Sequence, residues 1–476
     1  MRVVPAVSAP TTAIPTRLPD RLLADELEAA LRDLLLDLPL APAPLKRGPG
    51  AIPVISALAL WSGFLVCVLR GFSSQRGVWR LLCLHGFWSE TAKPLTDSAI
   101  YQRLARSAPT VFLDFFNRLT TLLLARFAEV RDTRLASWAP DILALDHCTM
   151  EPVVRQLKLL RKVPRGNSSL LPGRLATLFD VRRQLFRRVD FETDTVRNVK
   201  HELERLLVGL APGTLLLFDL GYFSFPWFDL LVQEGLCYVS RLRKTTTWIE
   251  LAVLYDGSNG QVRLRESWVY LGKYKADRAA EPVRLVEVFF PHHTYRYITN
   301  VMEPARLPAA DIVRLYARRW DIEQAFNLLK THLKLYLLWS GHPQVVQAQI
   351  FATLIIAQIV LALRNDLAQR ARADLREISL PLLLECLPRL AADGKDALHE
   401  LTLHGRRMEI IRPFRGIDYS VPAPALHEYR IPAARPPPRK PRHPTHLRAR
   451  GQGPRVQAET RPRKSTWHTR TPRSAR

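Results

Sequence analysis

Two short apolar runs, each ending in an aspartate, constrain the fold of this chain more than any other feature. Residues 142–145 read ILAL and precede Asp146, and residues 214–218 read TLLLF and precede Asp219. Continuous apolar runs of this length are typical of strands buried on both faces of a sheet. The carboxyl ends of neighbouring parallel strands meet at one edge, where ligands usually bind. The sequence therefore predicts that the two aspartates lie side by side.

The segments around these runs predict a mixed α/β fold. The residues near each run read as further strands and as helices, and residues 245–290 read as an inserted β subdomain of polar, Gly-containing strands. The remaining predicted strands are 174–181, 184–191, CYVSRLRK from Cys237 and YRYITNV from Tyr295, and the predicted helices cover 195–210, WFDLLVQEG from Trp227 and a long segment from Asp311.

The long helix offers a third acid. On an ideal helix, at about 100° per residue, four polar side chains fall within about 60° of one another around the axis. They are Tyr316, Arg319, Glu323 and Lys330. An apolar stripe lies alongside, so we expect the helix to bury that stripe and to bring Glu323 towards the two aspartates.

Three converging carboxylates would suit the breakage of a phosphodiester. That reaction needs an activated oxygen and a stabilised leaving group, which two divalent ions about 4 Å apart supply together. Hard oxygen ligands suit Mg²⁺. Each acid alone is better explained as a strand-end cap or a salt-bridged helix residue. The ordered set, with its Tyr, Arg and Lys neighbours, favours a metal site.

The charge balance points to a polyanionic partner. The 476 residues carry 69 Lys and Arg against 44 Asp and Glu, a net charge of +25, while 47% hydrophobic residues indicate a globular chain. Nucleic acid is the first candidate. Five scattered cysteines without a C-x-x-C spacing and an N-terminus without a secretory signal indicate neither disulfides nor export, so we expect a cytoplasmic protein.

The ends of the chain differ from its middle. We predict an N-terminal helical region over 1–135 that could bind DNA ends, a catalytic core over 136–340, C-terminal helices over 341–418 and a basic tail over 419–476. Residues 430–476 hold 14 Lys or Arg, one acid and nine prolines. Such a segment cannot bury enough apolar surface to order itself, and it either binds nucleic acid by charge or is a solvated extension.

Two apolar segments raise the question of a membrane. Residues 51–69 contain no charge, and residues 345–363 are similarly apolar. Pro53, Ser56, Ser62 and Gly63 interrupt the first segment, and polar residues interrupt the second. We interpret both as buried helices and predict no membrane partner.

At the level of motifs, the chain resembles the DDE transposases of bacterial insertion sequences, of the insertion-sequence-four type. Their signature is Tyr, two residues, Arg, three residues, Glu, six residues and Lys, and YARRWDIEQAFNLLK matches it from Tyr316 to Lys330. The second-acid motif is similar to DLGYF at Asp219, and the strand motif after it is similar to YVSRLRK, with Arg241 and Arg243.

The resemblance implies a ribonuclease-H-like core with an inserted β subdomain. It implies that Asp146, Asp219 and Glu323 hold two Mg²⁺ ions, with Mn²⁺ as a possible substitute, for cleavage at the terminal inverted repeats of a mobile element and strand transfer into target DNA. The implied partners are double-stranded DNA and, in the DNA complex, a second copy of the chain.

The resemblance also implies roles for the surrounding side chains. Arg319 and Lys330 would bind phosphates, Tyr316 would contact a phosphate beside a flipped base, and Arg241 and Arg243 would contact DNA. Aromatic side chains that could stack on the flipped base are Trp248, Trp268 and Trp320, of which Trp320 is better explained as a helix-packing residue.

The first-acid motif departs from the family pattern. The family usually has Thr two residues after the first acid, whereas this chain has Cys148 there and Thr149 next. Asp141 is the alternative first acid. We interpret Cys148 as a packing residue rather than a nucleophile and His147 as a neighbour rather than a ligand. An inactive DNA-binding relative of the same fold and a membrane-anchored basic protein are the other functions that the sequence leaves open.

Overall fold

The computed structural model describes residues 54–439, with gaps at 89, 108, 128–134, 151–172, 193–204, 274–277, 341, 393–395 and 414–420. Three sequence-based predictions therefore lie wholly or largely outside the described residues. They are residues 1–53 of the predicted N-terminal helical region, most of the helix predicted over 195–210 and the basic tail beyond residue 439. The described start of the predicted tail, residues 421–439, corrects the expectation that this segment cannot order itself, because the Arg430 N–H donates to the Leu254 carbonyl and the Arg439 N–H to the Ala280 carbonyl, both at 2.8 Å.

A single nine-stranded sheet organises the described chain. Its spatial order is β3-β2-β1-β4-β5-β9-β8-β7-β6. The strands are β1 (Ile142–Met150), β2 (Gly173–Asp180), β3 (Leu185–Glu192), β4 (Leu215–Phe218), β5 (Cys237–Arg241), β6 (Trp248–Ser258), β7 (Arg263–Leu271), β8 (Val283–Phe289) and β9 (Thr294–Thr299).

The two apolar runs lie side by side as parallel strands, as predicted, within a group of five strands. β1, β2 and β3 form an antiparallel meander, β4 lies parallel to β1, and β5 lies parallel to β4. The register places Leu145 opposite Phe218. The residue that follows each of them in the chain is an aspartate, Asp146 or Asp219. The mixed α/β architecture is therefore as predicted.

The strands between residues 248 and 289 extend the same sheet. β9 pairs with β5 on one side and with β8 on the other, both antiparallel, and β7 and β6 continue outward from β8. The predicted β insertion is thus continuous with the strands that carry the aspartates, because β9 joins the two sets edge to edge.

Helices cover both faces of the sheet. Ten α-helices are described: α1 (Ala57–Leu69), α2 (Gln75–Arg80), α3 (Asp97–Arg106), α4 (Thr110–Arg126), α5 (Phe225–Gln233), α6 (Ala309–Arg318), α7 (Trp320–Asn327), α8 (Pro343–Ala371), α9 (Leu380–Ala392) and α10 (Ala397–His404). One face packs against α1, α4 and α8, and the other packs against α5. Alternate residues of β1 enter the two cores, since Ala144 and Cys148 lie in one and Leu145 lies in the other.

Helix α8 is long and apolar enough to cross a membrane by length and composition, yet 94% of its most apolar window is buried inside the protein. Its Gln358 side chain donates to the Phe186 carbonyl and accepts from the Phe186 N–H, both at 2.9 Å, which ties the helix to β3. Helix α8 therefore packs as a core helix in this structure. Helix α1 is a shorter apolar helix, and ten of its 13 residues are buried.

The long helix predicted from Asp311 is interrupted. Helix α6 ends at Arg318 and α7 begins at Trp320, because the Arg319 N–H donates to the Tyr316 carbonyl three residues back, at 3.1 Å, and tightens the turn. A π-helical turn, Leu328–His332, then follows α7. The ideal-helix stripe from Tyr316 to Lys330 was therefore only approximate, since both irregularities rotate its members around the axis.

Candidate active site

The two aspartates lie on neighbouring parallel strands, Asp219 directly after the end of β4 and Asp146 within β1 at the same level. Asp146 and Asp219 each follow the last residue pair joining β1 and β4. Asp146 is partly buried, with 18% of its side chain exposed. Burial raises its pKa above the ordinary value, while the N–H of His147, donating at 2.8 Å, opposes that shift. The apolar strands thus bring the two carboxylates next to each other where β4 ends, but β1 continues past Asp146 to Met150 and does not end at the acid as the sequence predicted, because β1 stays paired with β2.

Arg319 joins the third acid to the first. Its Nη1 lies 3.4 Å from Asp146 Oδ2, and its Nη2 donates to Glu323 Oε1 at 2.8 Å. The arginine is 4% exposed, whereas a third of the Glu323 side chain, 34%, is exposed. Burial alone would lower the pKa of Arg319, but the bond to Glu323 and the nearby charge of Asp219 raise it above its ordinary value.

The second aspartate is held by the tyrosine of the predicted stripe. The Tyr316 hydroxyl donates to Asp219 Oδ1 at 3.2 Å. Burial, reinforced by the Asp219 charge, raises the pKa of Tyr316 well above its ordinary value, so the phenol stays protonated and remains a donor. Tyr316 also lies against Tyr297 of β9, with ring centroids 5.3 Å apart.

A divalent metal suits the donor chemistry of this group but not its present arrangement. Among the described residues, no three His, Cys, Asp or Glu side chains stand close enough together to hold a metal ion. Three carboxylates from separate elements interact with the guanidinium of Arg319. Hard oxygen donors of this kind fit Mg²⁺ or Mn²⁺ once Arg319 no longer lies between them.

A second polar cluster lies at the α6–α7 junction, on the side of the helices opposite Glu323. Asp321 Oδ2 accepts from Gln184 Nε2 at 2.6 Å and from Arg318 Nε at 2.7 Å, and Arg318 Nη2 donates to the Val181 carbonyl at 2.8 Å. We call Gln184, Arg318 and Asp321 the junction clamp. Because Val181 and Gln184 lie in the turn between β2 and β3, the clamp fixes Arg319 and Glu323 relative to the sheet that carries Asp146.

Gln184 has a backbone conformation that residues other than glycine rarely adopt. Its φ angle is 54°, in the left-handed region, which costs on the order of 1 kcal/mol for a residue other than glycine. Its amide donates to the Val181 carbonyl at 2.9 Å as well as to Asp321. The side chain therefore supports both the turn and the helix junction.

Lys330 and Cys148 lie together beside the site. Burial raises the pKa of the Cys148 thiol, while Lys330 opposes that shift through its charge and a hydrogen bond. Cys148 is 3% exposed and belongs to the apolar core, which is consistent with a packing residue. His147 Nδ1 lies 3.0 Å from the Tyr222 hydroxyl. The His147 ring is therefore held by Tyr222, which follows Asp219 closely in the chain.

The two predicted DNA-contacting arginines after β4 lie near the same edge. Arg241, at the end of β5, lies over the ring of Tyr295 at 5.5 Å, and its charge acts on Tyr316. Arg243 is exposed, lies over Phe223 at 5.1 Å and donates to the Leu220 carbonyl at 3.2 Å. Both cations are therefore placed close to the segment that follows Asp219.

The three predicted base-stacking tryptophans lie in different environments. Trp268 is 3% exposed, and its indole N–H donates to the Met302 carbonyl at 3.2 Å. This corrects the expectation that Trp268 contacts DNA, because its ring has no face open to a base in this structure. Trp320 is 57% exposed beside Arg319, which corrects its interpretation as a packing residue, and Trp248 is partly exposed beneath Arg296.

Sequence reasoning missed the junction clamp. Arg318 and Asp321 are three residues apart and on the opposite side of the helix from Glu323, a spacing that indicates a local ion pair. The contribution of Gln184 could not be predicted from sequence spacing, because it depends on how the β2–β3 turn meets the helix.

Asp141, the alternative first acid, pairs with Arg183 at 3.2 Å rather than with Arg319.

Comparison with known proteins supports the sequence motifs. The family model described as the transposase DDE domain matches residues 165–359, a range that includes Asp219 and Glu323 and begins after Asp146. The transposase InsG for insertion sequence element IS4 of Escherichia coli (strain K12) is 25% identical over 206 residues, 42% of this chain and 46% of InsG.

Two further likenesses are weaker. The protein y4zB of Sinorhizobium fredii (strain NBRC 101917 / NGR234) is 23% identical over 180 residues, 37% of this chain and 47% of y4zB. The solved structure of a piggyBac transposase synaptic complex with hairpin DNA aligns over 79% of this chain and 81% of that chain, at 10% identity and a TM-score of 0.36, too low to establish a shared fold.

The chain spans about half the length of the curated relatives it matches. The family model covers the matched motif from Tyr316 to Lys330. Over residues 165–359 this chain is therefore similar to the transposase DDE domain, and its curated relatives include a transposase of insertion sequence element IS4.

Proposed function

We propose that this protein is a metal-dependent transposase that cleaves DNA at the terminal inverted repeats of its element and joins the freed 3′ hydroxyl to target DNA. One observation carries the proposal. Asp146, Asp219 and Glu323 come from β1, the end of β4 and α7, far apart in sequence, and all three interact with Arg319 at one edge of the sheet.

The same proposal includes the finer description of the fold. We infer a ribonuclease-H-like core from the antiparallel meander β1–β3 joined to the parallel strands β4 and β5. We assign the core to residues 136–340, with helical regions before and after it. The tail beyond residue 439 is assigned to charge-based DNA contact, and the protein is assigned to the cytoplasm.

In this proposal Asp146, Asp219 and Glu323 hold Mg²⁺, with Mn²⁺ as a substitute. The bound metal supplies Lewis-acid polarisation of the phosphate and activation of the attacking oxygen. The other residues bind and orient the DNA. Tyr316 keeps Asp219 in place through its hydroxyl, and Lys330 stands beside β1 where it can meet a phosphate.

Cations and an exposed ring near the carboxylates suit a DNA backbone. Arg319, Lys330, Arg241 and Arg243 carry positive charge towards this edge, and phosphate contacts from such groups position a duplex without reading its sequence. Trp320, exposed beside Arg319, is the ring we assign to stacking on an unpaired base. Because cleaving two ends of one element requires both to be held together, we propose that two copies act in the DNA complex.

The test is strand cleavage of a duplex that carries the DNA flanking this coding region. We expect nicking in Mg²⁺ and none in chelator. Asp146→Asn, Asp219→Asn and Glu323→Gln keep side-chain size and should abolish nicking, while Asp311→Asn, which affects an exposed pair with Arg314 on α6, should leave it intact. Equal nicking by wild type and the three carboxylate variants would refute the proposal, and DNA binding without nicking would indicate an inactive relative.

A further inference from the structure

The ion pairs of Arg319 use donors that a metal would need. Its guanidinium lies 3.4 Å from Asp146 Oδ2 and 2.8 Å from Glu323 Oε1. These are oxygens of two of the three proposed metal ligands. An arginine side chain remains charged at every relevant pH, so it cannot give up these carboxylates by losing a proton. The guanidinium and a divalent cation therefore compete for the same oxygens.

The hydrogen bonding of Arg319 is incomplete in this position. Its Nε atom is buried and has no hydrogen-bond partner in the part of the chain that the structure describes. The residue as a whole is only 4% exposed in this arrangement. A buried donor without an acceptor costs about 1 to 3 kcal/mol. A ligand that satisfied the whole guanidinium would therefore draw it from its present contacts.

The backbone around Arg319 is fixed, whereas its side chain can exchange one hydrogen-bond partner for another. The junction clamp fixes the neighbours Arg318 and Asp321 to the β2–β3 turn through two hydrogen bonds and joins them to each other through a third. The pair of Arg319 with Glu323 is made by a side chain that is one-third exposed. A change of partner at Arg319 is therefore a side-chain movement, with α6 and α7 left in place.

We propose that Arg319 is an internal counter-ion that excludes the metal from the carboxylates until a DNA phosphate takes the guanidinium. This inference rests on the proposed function and adds the order of events. A phosphodiester offers two oxygens in the planar geometry that a guanidinium prefers. DNA binding then frees Asp146 Oδ2 and Glu323 Oε1, and metal binding becomes conditional on substrate.

Such a mechanism has a thermodynamic signature. If DNA raises the affinity for the metal by some factor, the metal must raise the affinity for DNA by the same factor. Couplings of this kind usually lie between about 5-fold and 150-fold. A protein without the guanidinium should bind metal more tightly in the absence of DNA and should gain little from adding DNA.

The experiment measures Mn²⁺ binding to the full chain by electron paramagnetic resonance, with and without a duplex oligonucleotide. We expect wild type to bind weakly alone and at least about 5-fold more tightly with DNA. Arg319→Gln should bind Mn²⁺ at least about 5-fold more tightly than wild type without DNA. Arg319→Lys, which keeps the charge, should resemble wild type without DNA and serves if the glutamine variant does not fold.

Two variants control for unrelated effects. Arg314→Gln removes an exposed arginine of α6 and should leave Mn²⁺ binding unchanged. Asp219→Asn should lose Mn²⁺ binding in either background, which assigns the signal to this site. Equal or weaker DNA-free Mn²⁺ binding by Arg319→Gln would overturn the counter-ion role. The proposed function would survive that result if Mg²⁺-dependent nicking still required Asp219, so the two failures are distinguishable.

Discussion

Two arginine–carboxylate groups lie in the same sheet, and they are built differently. In the outer half, Arg284 of β8 pairs with Glu266 of β7 at 3.4 Å, and both side chains are 0% exposed. Tyr429 closes this pair by donating to Glu266 Oε1 at 2.7 Å. In the other half, Arg319 meets Asp146 and Glu323, the latter 34% exposed, with Asp219 nearby.

The comparison separates a structural pair from a ligand site. In the outer group, one positive charge meets one negative charge in a sealed position, so no charge is left for a ligand. At the edge of the sheet, one guanidinium interacts with three carboxylates from separate elements, and Glu323 is partly exposed. The converging carboxylates and the access to solvent distinguish a place where a cation can enter from a place where the chain has paired its own charges.

The largest expected effect is on catalysis at the open group. Glu323→Gln should reduce Mg²⁺-dependent cleavage by about 10³-fold or more, since catalytic groups that act together fail together. Its free energy of unfolding should change by less than about 1 kcal/mol, because a partly exposed ion pair contributes little to stability. Cleavage assays and urea denaturation of the same preparation measure both quantities. A large loss of stability in this variant would show that the open group is structural after all.

The opposite result is expected at the sealed group. Glu266→Ala leaves Arg284 buried without its partner and should destabilise the protein by about 3 to 5 kcal/mol. Cleavage per folded molecule should be retained. Replacing both partners, as Glu266→Leu with Arg284→Met, should recover most of the lost stability because no unpaired charge remains. Loss of Mn²⁺ binding in the folded double variant would contradict the separation of the two groups.

A smaller effect is expected at the junction clamp. Asp321→Ala leaves the amide of Gln184 and the guanidinium of Arg318 without their shared acceptor and should cost about 2 to 3 kcal/mol in thermal or urea unfolding. Cleavage should need a higher Mg²⁺ concentration, since Glu323 is less firmly placed relative to Asp146. Asp311→Asn on α6 is the matched control. An unchanged Mg²⁺ requirement would reduce the clamp to a purely stabilising contact.

The smallest effect is expected at Tyr429. Tyr429→Phe removes the hydroxyl that donates to Glu266 and should cost about 1.5 kcal/mol, as for a hydrogen bond to a charged acceptor. Neither Mn²⁺ binding nor cleavage should change, because this residue belongs to the sealed group. Equilibrium unfolding resolves a difference of this size. A cleavage defect in this variant would link the outer half of the sheet to the chemistry.

The sequence was sufficient for the features that depend on local pattern. The apolar runs before Asp146 and Asp219 predict buried parallel strands, and the structure has β1 and β4 side by side. Helical spacing places Glu323 on the same side as Tyr316 and Arg319, and their contacts agree. These predictions hold because strand burial and helix periodicity are properties of short segments.

The features that depend on contacts between residues far apart in the chain could not be predicted from the sequence. The continuity of β6–β8 with the rest of the sheet depends on β9 pairing with both β5 and β8. The burial of Trp268 depends on its contact with Met302, 34 residues later. The interruption at Arg319 and the acceptor role of Asp321 towards Gln184 likewise depend on how a helix meets a turn 137 residues away.

The convergence of three acids around a metal can be measured directly by iron-mediated cleavage of the polypeptide. Fe²⁺ replaces Mg²⁺ in carboxylate sites, and with ascorbate and peroxide it cuts the backbone beside its ligands. On protein bound to duplex DNA, we predict cuts near residues 146, 219 and 323, suppressed by excess Mg²⁺ and absent in Asp219→Asn. Cuts confined to one of these segments, or cuts unaffected by Asp219→Asn, would contradict a shared metal site.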